Sequence, residues 1–329
     1  MKVLAIRLAR FGDIVLLLPA LSALKANVPD CHLTFLTDHR LAPLAEMCPA
    51  IDDIIPVDRI RMRDGSRLVS LNSMWEVIRN VRRRHFDLAI DFHGFRETNL
   101  LSWLSGSTKR IGMKRFNQSF LSFCFNLPPV PEDKNIHSAE MFMKIVERFA
   151  LPKHPANPPM KVPDSAQAWV RSTLNSEPYV GMYVDAPTNK RIWPPESFSS
   201  VADHLVSQHG LKVVAVSGPD GAPLLKRIQE TARFKEHILA FSTLGIPQLA
   251  AVVQKAEMWI SNDTGPMHLG PILGVPTLAL FSIGLPEHFR PTGTSDCFLQ
   301  AIPIEGITVG KVIESADKLM SRERPDLRR

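Results

Sequence analysis

Four short stretches of the chain carry side chains whose types and spacing could do chemistry. In WISNDTGPMHLGPILGVPTLALF a buried strand is expected to end at Ser261, and Asp263 or Thr264 could cap the helix that follows. Gly265 would let the backbone approach a ligand, Pro266 suits the start of a helix, and His268 falls in its first turn. Unpaired N–H groups at such a helix end favour phosphate or another anion, although an ordinary capped helix would read the same way. Gly12-Asp13 follows the first strand, where Asp13 could accept a proton from a hydroxyl or simply cap a helix. In APTNKRIWPPESF, Lys190 or Arg191 could neutralise a departing diphosphate, while Trp193 reads as a packing residue. In FDLAIDFHGFRETN, Asp91, His93, Gly94 and Arg96 cluster at a strand end, with Lys109-Arg110 further on; a turn with solvated charge is the plainer reading.

Positioning these groups requires strands that end in loops. Apolar runs predict strands at residues 2–8, 32–36, 53–57 and 87–92, with a turn over ARFGD and helices at 14–27 and 73–84. After a proline-rich stretch at 151–164, the alternation restarts. Strands are expected at 179–184, 212–217, 237–240, 258–261 and 277–281, and helices at 195–208, 222–232, 247–255 and 265–273. Strands alternating with helices predict an α/β fold of two doubly wound parallel sheets, residues 1–155 and 156–329. In such sheets ligands sit outside the carboxyl ends of the strands, and a cleft between two halves is a natural substrate site.

Composition narrows the classes. The 329 residues are 45% hydrophobic and 22% charged, which suits a globular protein of about two domains and excludes a disordered or fibrous one. Arg7, Arg10 and Asp13 interrupt the apolar start too early for a signal peptide. No uninterrupted apolar run reaches the roughly 18 residues of a membrane span, so any membrane contact is expected to be peripheral. Cys31, Cys48, Cys124 and Cys297 lack metal-ligand spacing and read as free thiols of a reducing compartment. The segment WISNDTGPMHLGPILGVPTLALF fits neither the Gly-x-Gly-x-x-Gly fingerprint nor a P-loop. Lys and Arg outnumber Asp and Glu by 22 to 16 through residue 160 and are balanced at 17 each afterwards, so the excess of +6 lies in the first half. An anionic partner for that half follows. RIRMRDGSR and Arg82-Arg83-Arg84 lack the interleaved aromatics of a nucleic-acid surface.

Taken together, IRLARFGDIVLLLPALSALK, FDLAIDFHGFRETNLLSWLSGSTKRIGM, KRIWPPESF and SNDTGPMHLGPILGVPTLALF resemble, in their order, the bacterial heptosyltransferases of lipopolysaccharide synthesis, glycosyltransferase family nine. That resemblance implies a GT-B architecture with an N-terminal acceptor domain and a C-terminal nucleotide-sugar domain. It also implies inverting, metal-independent transfer of heptose from an ADP-activated donor, with no cofactor. The family's general base would fall on Asp13, and its cation for the leaving phosphate on Lys190 or Arg191. Donor contacts would come from Thr188, Asp220, Asp263, Thr264, Gly265, Pro266, Met267 and His268, and acceptor contacts from Gly12, His93, Gly94 and Arg96. The partners implied are a nucleotide-sugar and a phosphorylated, lipid-linked saccharide, met by a cytoplasmic enzyme at the inner face of the inner membrane. The alternatives are a GT-B enzyme for another nucleotide-sugar, which the departures at Val184-Asp185-Ala186-Pro187 and Ser217-Gly218-Pro219-Asp220 leave open, and a binding protein without catalysis.

Overall fold

The computed structural model describes residues 1–64, 67–149, 160–175, 177–293 and 295–321. The chain divides into two compact units, Met1–Lys161 and Val162–Arg329. The expected linker lies largely outside the described residues, as does the 155/156 boundary.

The first unit runs β1 (Lys2–Ile6), α1 (Phe11–Asn27), β2 (His32–Asp38), α2 (Ala42–Glu46), β3 (Asp53–Val57), α3 (Arg59–Asp64), α4 (Arg67–Arg83), β4 (Leu88–Asp91), α5 (Arg96–Leu104), β5 (Lys109–Lys114), β6 (Val130–Pro131) and α6 (Ser138–Val146). Its six strands are ordered β3-β2-β1-β4-β5-β6 and every pairing is parallel. Both faces of such a sheet must be covered, which is why β1 and β4 are apolar on successive residues. Right-handed crossovers place α1 and α2 on one face and α4 and α5 on the other. Accordingly α1 packs on α6, and α4 lies beside α5. Leu4, Ile6, Leu36, Ile55 and Ala89 of the strands meet Val81 of α4 in one core.

The second unit runs α7 (Asp164–Leu174), β7 (Tyr179–Tyr183), α8 (Pro195–His209), β8 (Lys212–Val216), α9 (Ala222–Thr231), β9 (Ile238–Phe241), α10 (Ile246–Lys255), β10 (Met258–Asn262), α11 (Leu269–Ile272), β11 (Thr277–Phe281), α12 (Pro286–Phe289), β12 (Cys297–Gln300) and α13 (Val309–Met320). Its parallel sheet is ordered β12-β11-β10-β7-β8-β9. Counted from each unit's first strand, this is the same winding. In both sheets the order reverses between the first and fourth strands, β1 and β4 or β7 and β10. That reversal is the crevice where doubly wound sheets bind ligands.

The strand expected at 2–8 ends at Ile6 and the helix expected at 73–84 begins at Arg67, and two further differences bear on the site. The first helix begins at Phe11, so Gly12 and Asp13 lie inside its first turn and not in a preceding loop. The helix expected at 265–273 is instead a 3-10 turn over Gly265–His268 followed by the single turn of α11. Proline explains the break, because Pro271 has no N–H to continue an α-helical ladder. Thr264 stands at the N-cap position of the 3-10 turn, but neither its side chain nor that of Asp263 makes a capping hydrogen bond. So short a segment has little aligned dipole, which removes the helix-end argument for an anion there.

Candidate active site

In the first unit the chemistry gathers after β1 and β4. Arg7 leaves the end of β1 with its side chain buried, and its guanidinium donates to Asp13 Oδ1 at 2.7 Å and to the Phe92 carbonyl at 2.5 Å. The same group lies 4.7 Å over the Phe142 ring. Burial is the main influence on Arg7 and lowers its pKa, with Asp13 the chief opposing charge. Arg7 thus holds Asp13 through one oxygen. The second carboxylate oxygen takes only a long contact, 3.4 Å, from the Arg10 N–H, and the Asp13 side chain is 29% exposed. Sequence reasoning treated Arg7 as a mere interruption of an apolar run. Its partner is six residues away and its other contacts are 85 and more residues away, so no local signal could have shown the pair.

The turn after β4 is built on Asp91, which is fully buried and accepts the N–H groups of His93 and Gly94 at 2.9 Å and the Asn99 amide at 2.8 Å. Burial raises the Asp91 pKa, and those donors oppose the shift. Asp91 is thus the frame of the turn. Gly94 has φ +72°, and a Cβ there would stand 2.5 Å from the Met113 carbonyl oxygen, so only glycine fits. His93 packs on Phe95 at 4.5 Å, and Arg115 donates to its carbonyl at 2.7 Å. Burial first, then the charges of Arg7, Arg115 and Arg59, push the His93 pKa down to about 3. Its buried Nδ1 has no hydrogen-bond partner among the described residues. His93 is a neutral imidazole among cations, and Arg96 is exposed at the start of α5. A cavity of about 790 Å³ opens nearby, lined by Phe116, Glu132, Lys134, Lys144 and Arg148 among others, with Arg115 joining Glu132 to the His93 turn.

In the second unit the loops after β7 and β10 are pinned together. Asn262 at the end of β10 donates to the Val184 carbonyl at 2.9 Å and accepts from the Trp193 N–H at 3.2 Å. Trp193 is fully buried, donates from its indole to the Ile307 carbonyl at 2.9 Å and packs edge-on to Phe198, as its expected packing role requires. Thr188 precedes a 3-10 turn at Asn189–Arg191. Arg191 turns inward to Asp263 at 3.1 Å, whereas Lys190 is exposed. Asp263 is buried, and burial raises its pKa against the opposing charge of Arg191. Gly284 covers it so closely that a Cβ would collide with the carboxylate.

The 3-10 turn is anchored by the Trp259 indole, which donates to the Pro266 carbonyl at 3.2 Å. Met267 is committed to a small core with Ala279 and Phe281, so its side chain is unavailable to a ligand. His268 is buried in the same turn, while Gly265 stands at its start. Asp220 is exposed on the 3-10 turn after β8. The acid that meets Gly218 and Gly221 is Asp185, whose Oδ2 would lie 3.2 and 2.8 Å from Cβ atoms placed there. The structure therefore brings together Arg191 with Asp263 and draws Asp185, unassigned from sequence, to the glycines after β8.

With this geometry in place, comparison with known proteins becomes informative. The sequence pattern of glycosyltransferase family 9 (heptosyltransferase) matches residues 74–309, well over half of the chain. The chain belongs to glycosyltransferase family 9. This transferase is 25% identical over 293 residues to lipopolysaccharide heptosyltransferase 3 of Escherichia coli strain K12, covering 85% of this chain and 82% of that protein. The family 9 glycosyl transferase structure from Veillonella parvula superposes with a TM-score of 0.86 at 22% identity, covering 97% of both chains. E. coli heptosyltransferase WaaC with ADP gives a TM-score of 0.80 at 18% identity, over 97% of this chain and all of that one. The fold of the family 9 enzyme is accordingly GT-B, with two Rossmann-like sheets.

Proposed function

We propose that this glycosyltransferase moves heptose from ADP-heptose to a phosphorylated, lipid-linked lipopolysaccharide core acceptor, with inversion and without a metal. The observation that carries the reading is Asp13. It is a partly exposed carboxylate on the first turn of α1, immobilised through one oxygen by Arg7 and offering the other. Family membership, and the names of the E. coli relative and the WaaC–ADP structure, support heptose as the sugar and ADP as the nucleotide.

In this mechanism the acceptor hydroxyl gives its proton to Asp13 while its oxygen bonds to the anomeric carbon. The bond from that carbon to the diphosphate breaks on the opposite face, and ADP leaves with the electron pair. The second unit carries the donor. Lys190, exposed and not committed to Asp263, is the cation for the leaving diphosphate, whereas Arg191 with Asp263 shapes the loop beneath it. Thr188, Thr264, Gly265 and His268 flank the donor from the two pinned loops. Gly12, His93, Gly94 and Arg96 border the acceptor, and the surrounding arginines favour its phosphates. Asp185 is a better placed acid than Asp220 for nucleotide hydroxyls, because it faces the glycine-lined end of β8.

Such an acceptor is membrane-borne, so the enzyme works in the cytoplasm at the inner face of the inner membrane. Among the described residues no helix is long and apolar enough to cross a membrane. Peripheral contact is supported by α4, where Leu71 and Trp75 are each 57% exposed and Arg79, Arg82 and Arg83 continue the same outward stripe. The test of the whole reading is product analysis by mass after incubating the protein with ADP-heptose and core precursors, with and without EDTA. Heptosylated product in both arms is expected; a product formed from another nucleotide-sugar in preference, or only with metal, overturns it.

A further inference from the structure

Three side chains converge on the surface of the second unit. His204 and His209 lie on the last turns of α8, and Asp317 lies on α13. Nε2 of His204 is 3.0 and 3.1 Å from the two carboxylate oxygens, and Nε2 of His209 is 2.8 Å from Oδ1. One atom from each residue fits within 4.8 Å of the other two. The backbones that carry them are fixed, because Val201, Ala202 and Leu205 of α8 and Val312, Ala316 and Leu319 of α13 belong to one core.

Two imidazoles aimed through the same nitrogen at one carboxylate suit an ion pair when a ring is protonated. At neutral pH an imidazole can instead carry its proton on Nδ1, which leaves two Nε2 lone pairs and a carboxylate facing one point. Ligand atoms about 2.0–2.2 Å from one ion stand about 3 Å apart in a six-coordinate shell, where a right angle separates them, and about 3.4 Å apart in a tetrahedral one. The observed nitrogen-to-oxygen distances, 2.8 to 3.1 Å, are those of direct hydrogen bonds and fall near the six-coordinate spacing; side chains on this surface need open by only a few tenths of an ångström for a tetrahedral ion. A set of two imidazoles and one carboxylate selects borderline transition ions over magnesium or calcium, which prefer all-oxygen shells.

We propose that His204, His209 and Asp317 bind a divalent transition cation, Zn²⁺ or Ni²⁺, which cross-links α13 to the end of α8. The site is structural. His209 ends α8 just before Lys212 opens β8, so it lies at the amino ends of the strands, opposite to the loops assigned to sugar transfer. It is therefore compatible with a transfer reaction that needs no metal. Sequence spacing gave no notice of it, since Asp317 lies more than 100 residues from both histidines.

The full-length protein, stripped with EDTA and desalted, is titrated near neutral pH with ZnCl2 and NiCl2 by calorimetry, and with CoCl2 by visible absorption. One saturable site per chain is expected, with d–d bands for cobalt and no response to MgCl2 or CaCl2. His204→Ala, His209→Ala and Asp317→Asn should each weaken binding at least about tenfold. Zn²⁺ should raise the Tm of the parent chain and not of these variants. Their metal-free far-UV spectra and ADP affinity control for folding and for the donor site. Absence of saturable binding by the parent chain overturns the proposal, as does equal binding by all three variants.

Discussion

A single buried guanidinium decides how Asp13 is presented, and this makes the residue-scale expectations separable. Asp13→Asn should lower kcat by about 10²–10⁴-fold with ADP affinity unchanged by calorimetry, because only proton removal is lost. Near-normal turnover would remove the general-base assignment. Arg7→Met keeps Asp13 but frees its rotamer, so kcat should fall with little change in the KM for donor. His93 supplies a test by pH. Its folded pKa is about 3, whereas an unfolded imidazole titrates near 6.5. Between these values the unfolded chain takes up a proton that the folded chain refuses. The stability contributed by keeping His93 neutral is complete above about pH 6.5 and is lost progressively as the pH falls toward 3. Urea unfolding at pH 5 and at neutral pH should therefore show a smaller loss in His93→Gln than in the parent chain. In an NMR titration the His93 ring should stay silent through that range.

At the scale of elements, the packing residues and the surface helix give distinct readouts. Trp193→Ala should cost about 3–5 kcal/mol in denaturant unfolding, since it empties a fully buried site and leaves the Ile307 carbonyl without its indole donor. On α4, Arg79→Glu, Arg82→Glu and Arg83→Glu combined should abolish low-salt binding to anionic vesicles while leaving transfer to a soluble, delipidated acceptor unchanged. Arg84 is excluded from that set because it is already paired with Asp53. Most elements were legible in the sequence because parallel strands buried on both faces leave continuous apolar runs such as VLAI and LALF. Residues 53–57 and 277–281 match to the residue. The failures have local causes. At residues 11–13 a turn was expected from glycine and aspartate, but Asp13 reaches back toward the Arg10 N–H and starts the helix early. At 265–273 Pro266 suits a helix start, but Pro271 five residues later interrupts the ladder and leaves a 3-10 turn and one α-helical turn. The candidate residues could be found as strand-end loops, but their pairings could not. Arg7 with Asp13, Arg191 with Asp263, and Asp185 against Gly221 come from strands adjacent in space or from turns whose direction the sequence does not encode.

At the scale of the molecule, each unit has its own complete sheet and core, so the donor assignment can be tested on half the chain. A fragment beginning at Val162 should bind ADP within a few-fold of the full protein, measured by calorimetry. A fragment that folds by circular dichroism yet does not bind would place the nucleotide elsewhere. The two units also repeat one winding, and in each the chemistry issues from the two strands that flank the reversal of strand order. This repetition has an evolutionary consequence. On the assignment proposed above, loops that choose the sugar donor and loops that choose the sugar acceptor hang from separate scaffolds with separate cores. Drift in one set leaves the other set's foundation untouched, so a lineage carrying this architecture can exchange one substrate at a time.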